Sequence, residues 1–237
     1  MTLRKLAVVS AGLSQPSSTR MLSDRLAEAT VRRLTERGIE TQVDFVELRD
    51  IARDVTNNLI AGFPSPTLSE VIETVTGADG LIAVTPIFTT SYSGLFKSFF
   101  DVIEPTALDG MPVLIGATGG TERHSLALDY AMRPMFTYLH GIVVPTSVYA
   151  ASVDWAGAGA GPGGGAGGGT GIGAGGGTGA GIGAGASGAH TGLQDRVERA
   201  AGELAALVAV SDRSMQIRDP FALDGTFAAS IGGFEAD

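Results

Sequence analysis

Short apolar runs alternate with longer stretches in which apolar residues recur every three or four positions, and this alternation continues over most of the chain. It is the pattern of buried parallel strands joined by covering helices. Five strands are predicted, at Lys5 to Ser10, Gln42 to Leu48, Gly80 to Pro86, Pro112 to Ala117 and Ile142 to Tyr149, each rich in Val, Ile, Leu or Phe. Helices are predicted at Ser18–Arg37, Leu68–Gly77, Ser93–Ile103, His124–Leu139 and Leu193–Ser211. The first of these is the most clearly two-sided. Met21, Leu22, Leu26, Ala29 and Leu34 fall on one side, while Asp24, Arg25, Glu28, Arg32 and Arg33 are free to face water. Right-handed crossovers place helices on both faces of such a sheet, giving an α/β, flavodoxin-like, five-stranded parallel sheet of expected order 2-1-3-4-5. Ligands of such folds sit at the carboxyl ends of the strands, so the loops after the first, third and fourth strands carry the candidate chemistry.

The 237 residues, 44% of them apolar, suffice for one core, and the chain reads as a single domain over 1–237. One segment breaks the pattern. From Ala156 to Ala189 more than half of the residues are Gly, without core-forming periodicity and without the compact strand, turn and helix of a nucleotide loop. The expectation is a flexible loop insertion in that domain, because ordering glycine costs much backbone entropy and buries little side chain.

A net charge of −9 disfavours a general grip on nucleic acid or on anionic membrane. There is no cysteine, so disulfides, thiolate nucleophiles and Cys-based metal sites are excluded, and the three histidines lack ligand spacing, so no metal is expected. The apolar run Leu6 to Val9 is too brief for a signal-peptide core or a membrane span, and a cytoplasmic protein is expected.

The first loop, Ser10-Ala11-Gly12-Leu13-Ser14-Gln15-Pro16-Ser17-Ser18-Thr19, carries five hydroxyls and leads directly into the first helix. A helix start offers backbone N–H groups and the positive end of the helix dipole, and Ser17, Ser18 and Thr19 can add hydroxyl donors. One of these residues could serve only as an N-cap, but a single cap accounts for a single residue. A phosphate monoester is the ligand this cluster suits. The loop is neither Gly-x-Gly-x-x-Gly nor Gly-x-x-x-x-Gly-Lys-Ser/Thr, which sets aside the dinucleotide Rossmann site and the P-loop hydrolases.

The third strand runs into Thr85-Pro86-Ile87-Phe88-Thr89-Thr90-Ser91-Tyr92-Ser93-Gly94-Leu95-Phe96-Lys97, and the fourth into Thr118-Gly119-Gly120-Thr121-Glu122-Arg123-His124. With the hydroxyl-rich first loop, these segments resemble the NADPH-dependent FMN reductase family, in particular the reductases that supply two-component flavin-dependent monooxygenases. The likeness covers nearly the whole chain outside the glycine-rich segment. Many members of that family have an arginine where this chain has Ser14.

The resemblance implies that Ser10, Gln15, Ser17, Ser18 and Thr19 hold the FMN phosphate. It also implies that Pro86, Ile87 and Phe88 line the isoalloxazine, with Thr118, Gly119, Gly120 and Thr121 along its polar edge. It further implies NADPH or NADH as reductant, no catalytic side chain beyond the cofactor's own chemistry, a homodimer or homotetramer, and a partner monooxygenase that receives reduced FMN. A flavodoxin-type FMN electron carrier and an FMN-containing quinone or azo reductase are alternatives; Phe88 and Tyr92 are the only rings expected near the site, few for a tight carrier. If the glycine-rich segment is a tolerated insertion, deleting Ala156–Ala189 leaves FMN-dependent NAD(P)H oxidation nearly unchanged in a steady-state assay.

Overall fold

The computed structural model describes residues 2–156 and 192–212. The expected glycine-rich insertion, apart from Ala156, and the tail from Arg213 to Asp237 lie outside the described residues.

The backbone is a three-layer α/β arrangement of the flavodoxin-like kind. Its elements are β1 (Leu3–Ser10), α1 (Ser18–Thr35), β2 (Glu40–Glu47), α2 (Ala52–Ala61), α3 (Pro66–Thr76), β3 (Gly80–Phe88), β4 (Ser91–Tyr92) and α4 (Gly94–Asp101). They continue with β5 (Pro112–Gly119), α5 (Arg133–Tyr138), β6 (Ile142–Val143), β7 (Val148–Ala151), α6 (Ser152–Ala156) and α7 (Leu193–Val210). The sheet follows the path β2-β1-β3-β5-β6, with β4 paired to β3 and β7 paired to β5. All pairs are parallel except β3 with β4.

The strand period of two decides which layer each side chain joins. Ala7, Val9, Leu81, Ala83, Val113 and Ile115 point into the core beneath α2 to α5. Their neighbours Leu6, Val8, Ile82, Val84 and Leu114 point into the opposite core, beneath α1 and α7. Phe96, Phe99, Phe100 and Phe136 build an aromatic cluster in the first core, with Phe100 centred 4.8 Å from both Phe96 and Phe136. On the other face Gly116 lets α1 come close, since a Cβ there would lie 3.3 Å from a Leu26 methyl.

The expected five strands are corrected to seven. The predicted strand Ile142 to Tyr149 is broken into β6 and β7 because Pro145 has no N–H for the ladder. Side chains then take over the groups around it: Arg133 donates to the carbonyls of Val144 (2.9 Å) and Pro145 (3.1 Å), and the Thr146 amide donates to Glu203 (2.7 Å). The seventh strand, β4, is the return arm of a tight hairpin at the end of β3.

Helices differ from expectation where proline or weak patterning intervenes. The predicted helix His124–Leu139 is instead a short 3-10 turn at Glu122–His124, a wide π turn at Leu128–Met132 and then α5, which restarts around Pro134. Helix α2 escaped the periodicity because Val55 is its one buried side chain. Met21, expected inside, is 44% exposed.

The hairpin between β3 and β4 turns on Thr89 (φ 48°) and Thr90 (φ 70°), two left-handed residues where a turn of this kind favours Asn-Gly. β-Branched side chains are strained there. Thr90→Gly is expected to stabilise the fold by about 1 kcal/mol, net of glycine's own entropy cost, read as a higher urea midpoint with an unchanged slope.

Candidate functional site

The register of the sheet brings three loops to one edge. Ser10 is paired with Val84 and Val84 with Gly116, so the chain leaves β1, β3 and β5 side by side. Ser10 itself is buried, and the Ala11 amide donates to the Val84 carbonyl at 2.9 Å. The loop then curls over Gly12, where a Cβ would fall 2.1 Å from the Ser17 hydroxyl oxygen. Ser17 is the N-cap of α1 and its oxygen accepts from the Arg20 amide at 3.2 Å. The amides of Ser18 and Thr19, in the first turn, have no carbonyl of the helix to serve. The Thr19 hydroxyl meets the Thr118 hydroxyl at 2.9 Å in a buried contact, which ties the start of α1 to the end of β5.

Outside this loop a charged network holds its shape. Glu47, the last residue of β2, bonds Arg20 (2.6 Å) and Arg49 (2.6 Å). Arg49 donates to the Ser14 carbonyl (3.4 Å) and, with the Gln15 amide oriented to accept, to the Gln15 side-chain oxygen (2.8 and 3.0 Å). Arg20 is held even more firmly protonated than usual, first by its hydrogen bond to Asp24 and then by Glu47, against the opposing effect of burial.

At the end of β3, Thr85 accepts from the Ser93 amide (3.0 Å) and Ser93 caps α4, fixing the path of Pro86, Ile87 and Phe88. Pro86 does not stop the strand, which continues to Phe88. Phe88 is 47% exposed, so it belongs to the edge and not to the core. At the end of β5, Gly119 is required by Tyr149, because a Cβ would lie 2.1 Å from the phenol oxygen that donates to the Thr121 carbonyl at 2.7 Å. Gly120 has no atom within 4 Å of the place a Cβ would take, leaving its main chain open to approach.

These loops border a cleft of about 380 Å³. Of the residues proposed from sequence, Ser18 and Thr19 line it from the first loop, Pro86, Ile87 and Phe88 from the second, and Thr118, Gly119 and Gly120 from the third. Four stand outside the lining: Ser10 is buried below it, Ser17 is occupied as a cap, Gln15 is turned to Arg49, and Thr121 accepts from the Arg123 amide and the Tyr149 phenol. Leu13, Ser14, Ser152 and Trp155 complete the wall and were not expected. Leu13 and Ser14 lay within the loop already singled out. Nothing local to Ser152 or Trp155 marks them, since it is the pairing of β7 with β5 that carries them to this edge.

The lining is hydroxyl, amide and apolar side chain, without a charged one. It offers a phosphate monoester the α1 amides and the hydroxyls of Ser18 and Thr19, while the Ser14 hydroxyl donates to the Pro16 carbonyl at 3.1 Å, and it offers a flat amphipathic ring an apolar wall with open glycine main chain beside it. FMN combines these two parts, and the donor set fits it.

Fold and cleft together define a flavodoxin-like α/β protein with a cleft at the carboxyl edge of its sheet. Residues 4–156 match the family model for NADPH-dependent FMN reductase, and the chain belongs to that family. It is 38% identical over 152 residues to the FMN reductase (NADPH) of Pseudomonas aeruginosa, across 63% of this chain and 78% of that protein. It is 36% identical to the NADH-dependent FMN reductase SfnF of Pseudomonas fluorescens, across 64% of this chain and 79% of that protein. Among solved structures, an oxidoreductase from Corynebacterium diphtheriae superposes with a TM-score of 0.71 at 39% identity, over 88% of this chain and 98% of that one.

Burial pushes the Tyr149 phenol above the usual tyrosine pKa. A raised folded value means that the folded state favours the protonated phenol. Its stabilisation is therefore complete below about pH 10 and is lost as pH rises through the folded value. Tyr149→Phe is expected to cost about 1 kcal/mol at neutral pH, by removing the donor to Thr121, and to flatten the alkaline loss of stability in urea titrations at increasing pH.

Proposed function

We propose that this chain is an NAD(P)H-dependent FMN reductase that works at the three-loop cleft. The observation that carries this reading is the meeting, in one uncharged cleft, of the α1 amides with the apolar Pro86–Phe88 wall and the open Gly119–Gly120 main chain. Ser18 and Thr19 hold the phosphate through amides and hydroxyls. Ser10, Ser17 and Gln15 act one step away, by shaping the loop. Pro86, Ile87 and Phe88 cover one side of the ring, while Gly119 and Gly120 bring main-chain donors to its polar edge and Thr121 keeps Tyr149 in place behind them. When bound, FMN would supply the redox chemistry as the acceptor of a hydride from a dihydronicotinamide, so no protein nucleophile is called for. The protein's contribution is to hold and orient the flavin ring.

An uncharged lining grips a phosphate dianion modestly compared with an arginine fork. That suits a flavin that binds, is reduced and passes to a partner flavin-dependent monooxygenase. Leu126, Tyr130 and Tyr138 are exposed by 62%, 80% and 73%, and such exposed apolar and aromatic side chains are in keeping with a homodimer or homotetramer. The working compartment is the cytoplasm. No helix among the described residues is long and apolar enough to cross a membrane.

Trp155 gives the cleft a second aromatic wall beyond Phe88. This favours, as a second reading, a carrier that keeps its flavin. Steady-state assays with each nicotinamide and each flavin separate the two. A reductase oxidises NADH or NADPH only when FMN is added, and prefers FMN to riboflavin because the α1 start engages the phosphate. A protein that purifies yellow and oxidises neither nicotinamide is the carrier.

A further inference from the structure

We propose that Trp155 is a flavin-contacting residue and that Arg25 is its positioning residue, an assignment that rests on the cleft being the FMN site. Trp155 is the only tryptophan of the chain. It sits on α6, immediately after β7, and lines the same cleft as Ser18 and Phe88 while remaining partly exposed. A large indole left partly open at the rim of a cleft has apolar surface still to cover, and a flat flavin ring covers it well.

The indole is partly buried, packed at its inner side against the core beneath α1 and α7. From one side, the Arg25 guanidinium carbon lies 4.8 Å from the ring centroid. Arg25 follows Ser18 by seven residues, close to two helical turns, so it stands on the same stripe of α1, and its long side chain leans back toward the helix start. No ion pair between Arg25 and a carboxylate occurs among the described residues, which leaves the guanidinium to the indole. From below, Asp154 secures α6: one carboxylate oxygen accepts from the Ala151 amide (2.8 Å) and the other from Arg196 (3.1 Å). Arg196 also donates to the Tyr149 carbonyl at 3.1 Å, so α6, β7 and α7 are joined at this point. A ring fixed in this way loses little freedom when a ligand arrives, and that makes it effective as a wall.

This role differs from phosphate recognition in a measurable way. An indole that contacts the ring acts on FMN and riboflavin alike. Trp155→Ala is therefore expected to weaken binding of both flavins about tenfold, with Trp155→Phe restoring most of the affinity. Photoexcited flavin accepts an electron from an indole in contact with it, which phenylalanine cannot supply. The emission of FMN bound to the wild type is thus expected to be quenched and to recover in Trp155→Phe at saturating protein. Arg25→Met should weaken both flavins about threefold in the wild type and have no further effect in Trp155→Ala, the mark of a residue acting through the indole.

Equal FMN emission from wild type and Trp155→Phe overturns the contact, as does unchanged affinity for both flavins in a folded Trp155→Ala. An Arg25→Met effect that persists without the indole overturns the positioning role. Should Trp155→Ala fail to fold by circular dichroism, the Trp155→Phe emission decides. A wild type that reduces FMN while these variants behave like it removes this inference alone, whereas a wild type that binds no FMN removes the functional reading as well.

Discussion

Parallel pairing of β1, β3 and β5 is the constraint on which the rest depends. Parallel neighbours cannot be joined by tight turns, so each strand must be followed by a crossover, and all three strands release the chain at the same edge. The interior of each strand is committed to burial on both faces, which leaves the strand ends as the place where main chain and polar side chains can meet a ligand. The start of α1 is part of that edge because the helix must begin where β1 ends.

Within the edge, positions are set by short polar contacts more than by charge. The Thr19–Thr118 contact fixes the helix start relative to the third loop, and Thr85 with Ser93 fixes the second. The charged network of Arg20, Glu47 and Arg49 remains on the outer side of the first loop and stabilises its shape from there. The cleft wall itself is thus built of neutral hydroxyl, main-chain and apolar groups, while the charge stays outside it.

Much of this was legible along the chain, for identifiable reasons. The alternation of Leu6, Ala7, Val8 and Val9, and of Leu81 to Val84, marks buried strands because a period of two sends neighbours to opposite cores. The hydroxyl cluster at Ser17 to Thr19 marks a helix start that can serve as a cap and offer donors at once. The split of β6 from β7 was signalled by Pro145 and was missed, because apolar content on both sides outweighs one residue in any pattern count. Gln15 was misplaced for a different reason, since its amide is drawn outward by Arg49, a residue far along the chain.

What the amino-acid order alone determined is the succession of strands and helices, their burial, and the chemistry of three loops, all of which follow from periodicity and local capping. What tertiary structure alone decided is which groups face the cleft. Ser17 caps α1 just outside the lining, the Thr121 carbonyl accepts from the Tyr149 phenol, and Trp155 is brought in from beyond β7 with the Arg25 guanidinium over its ring. These contacts join residues that are distant in sequence and adjacent only once the sheet has formed, so no local pattern along the chain can carry them.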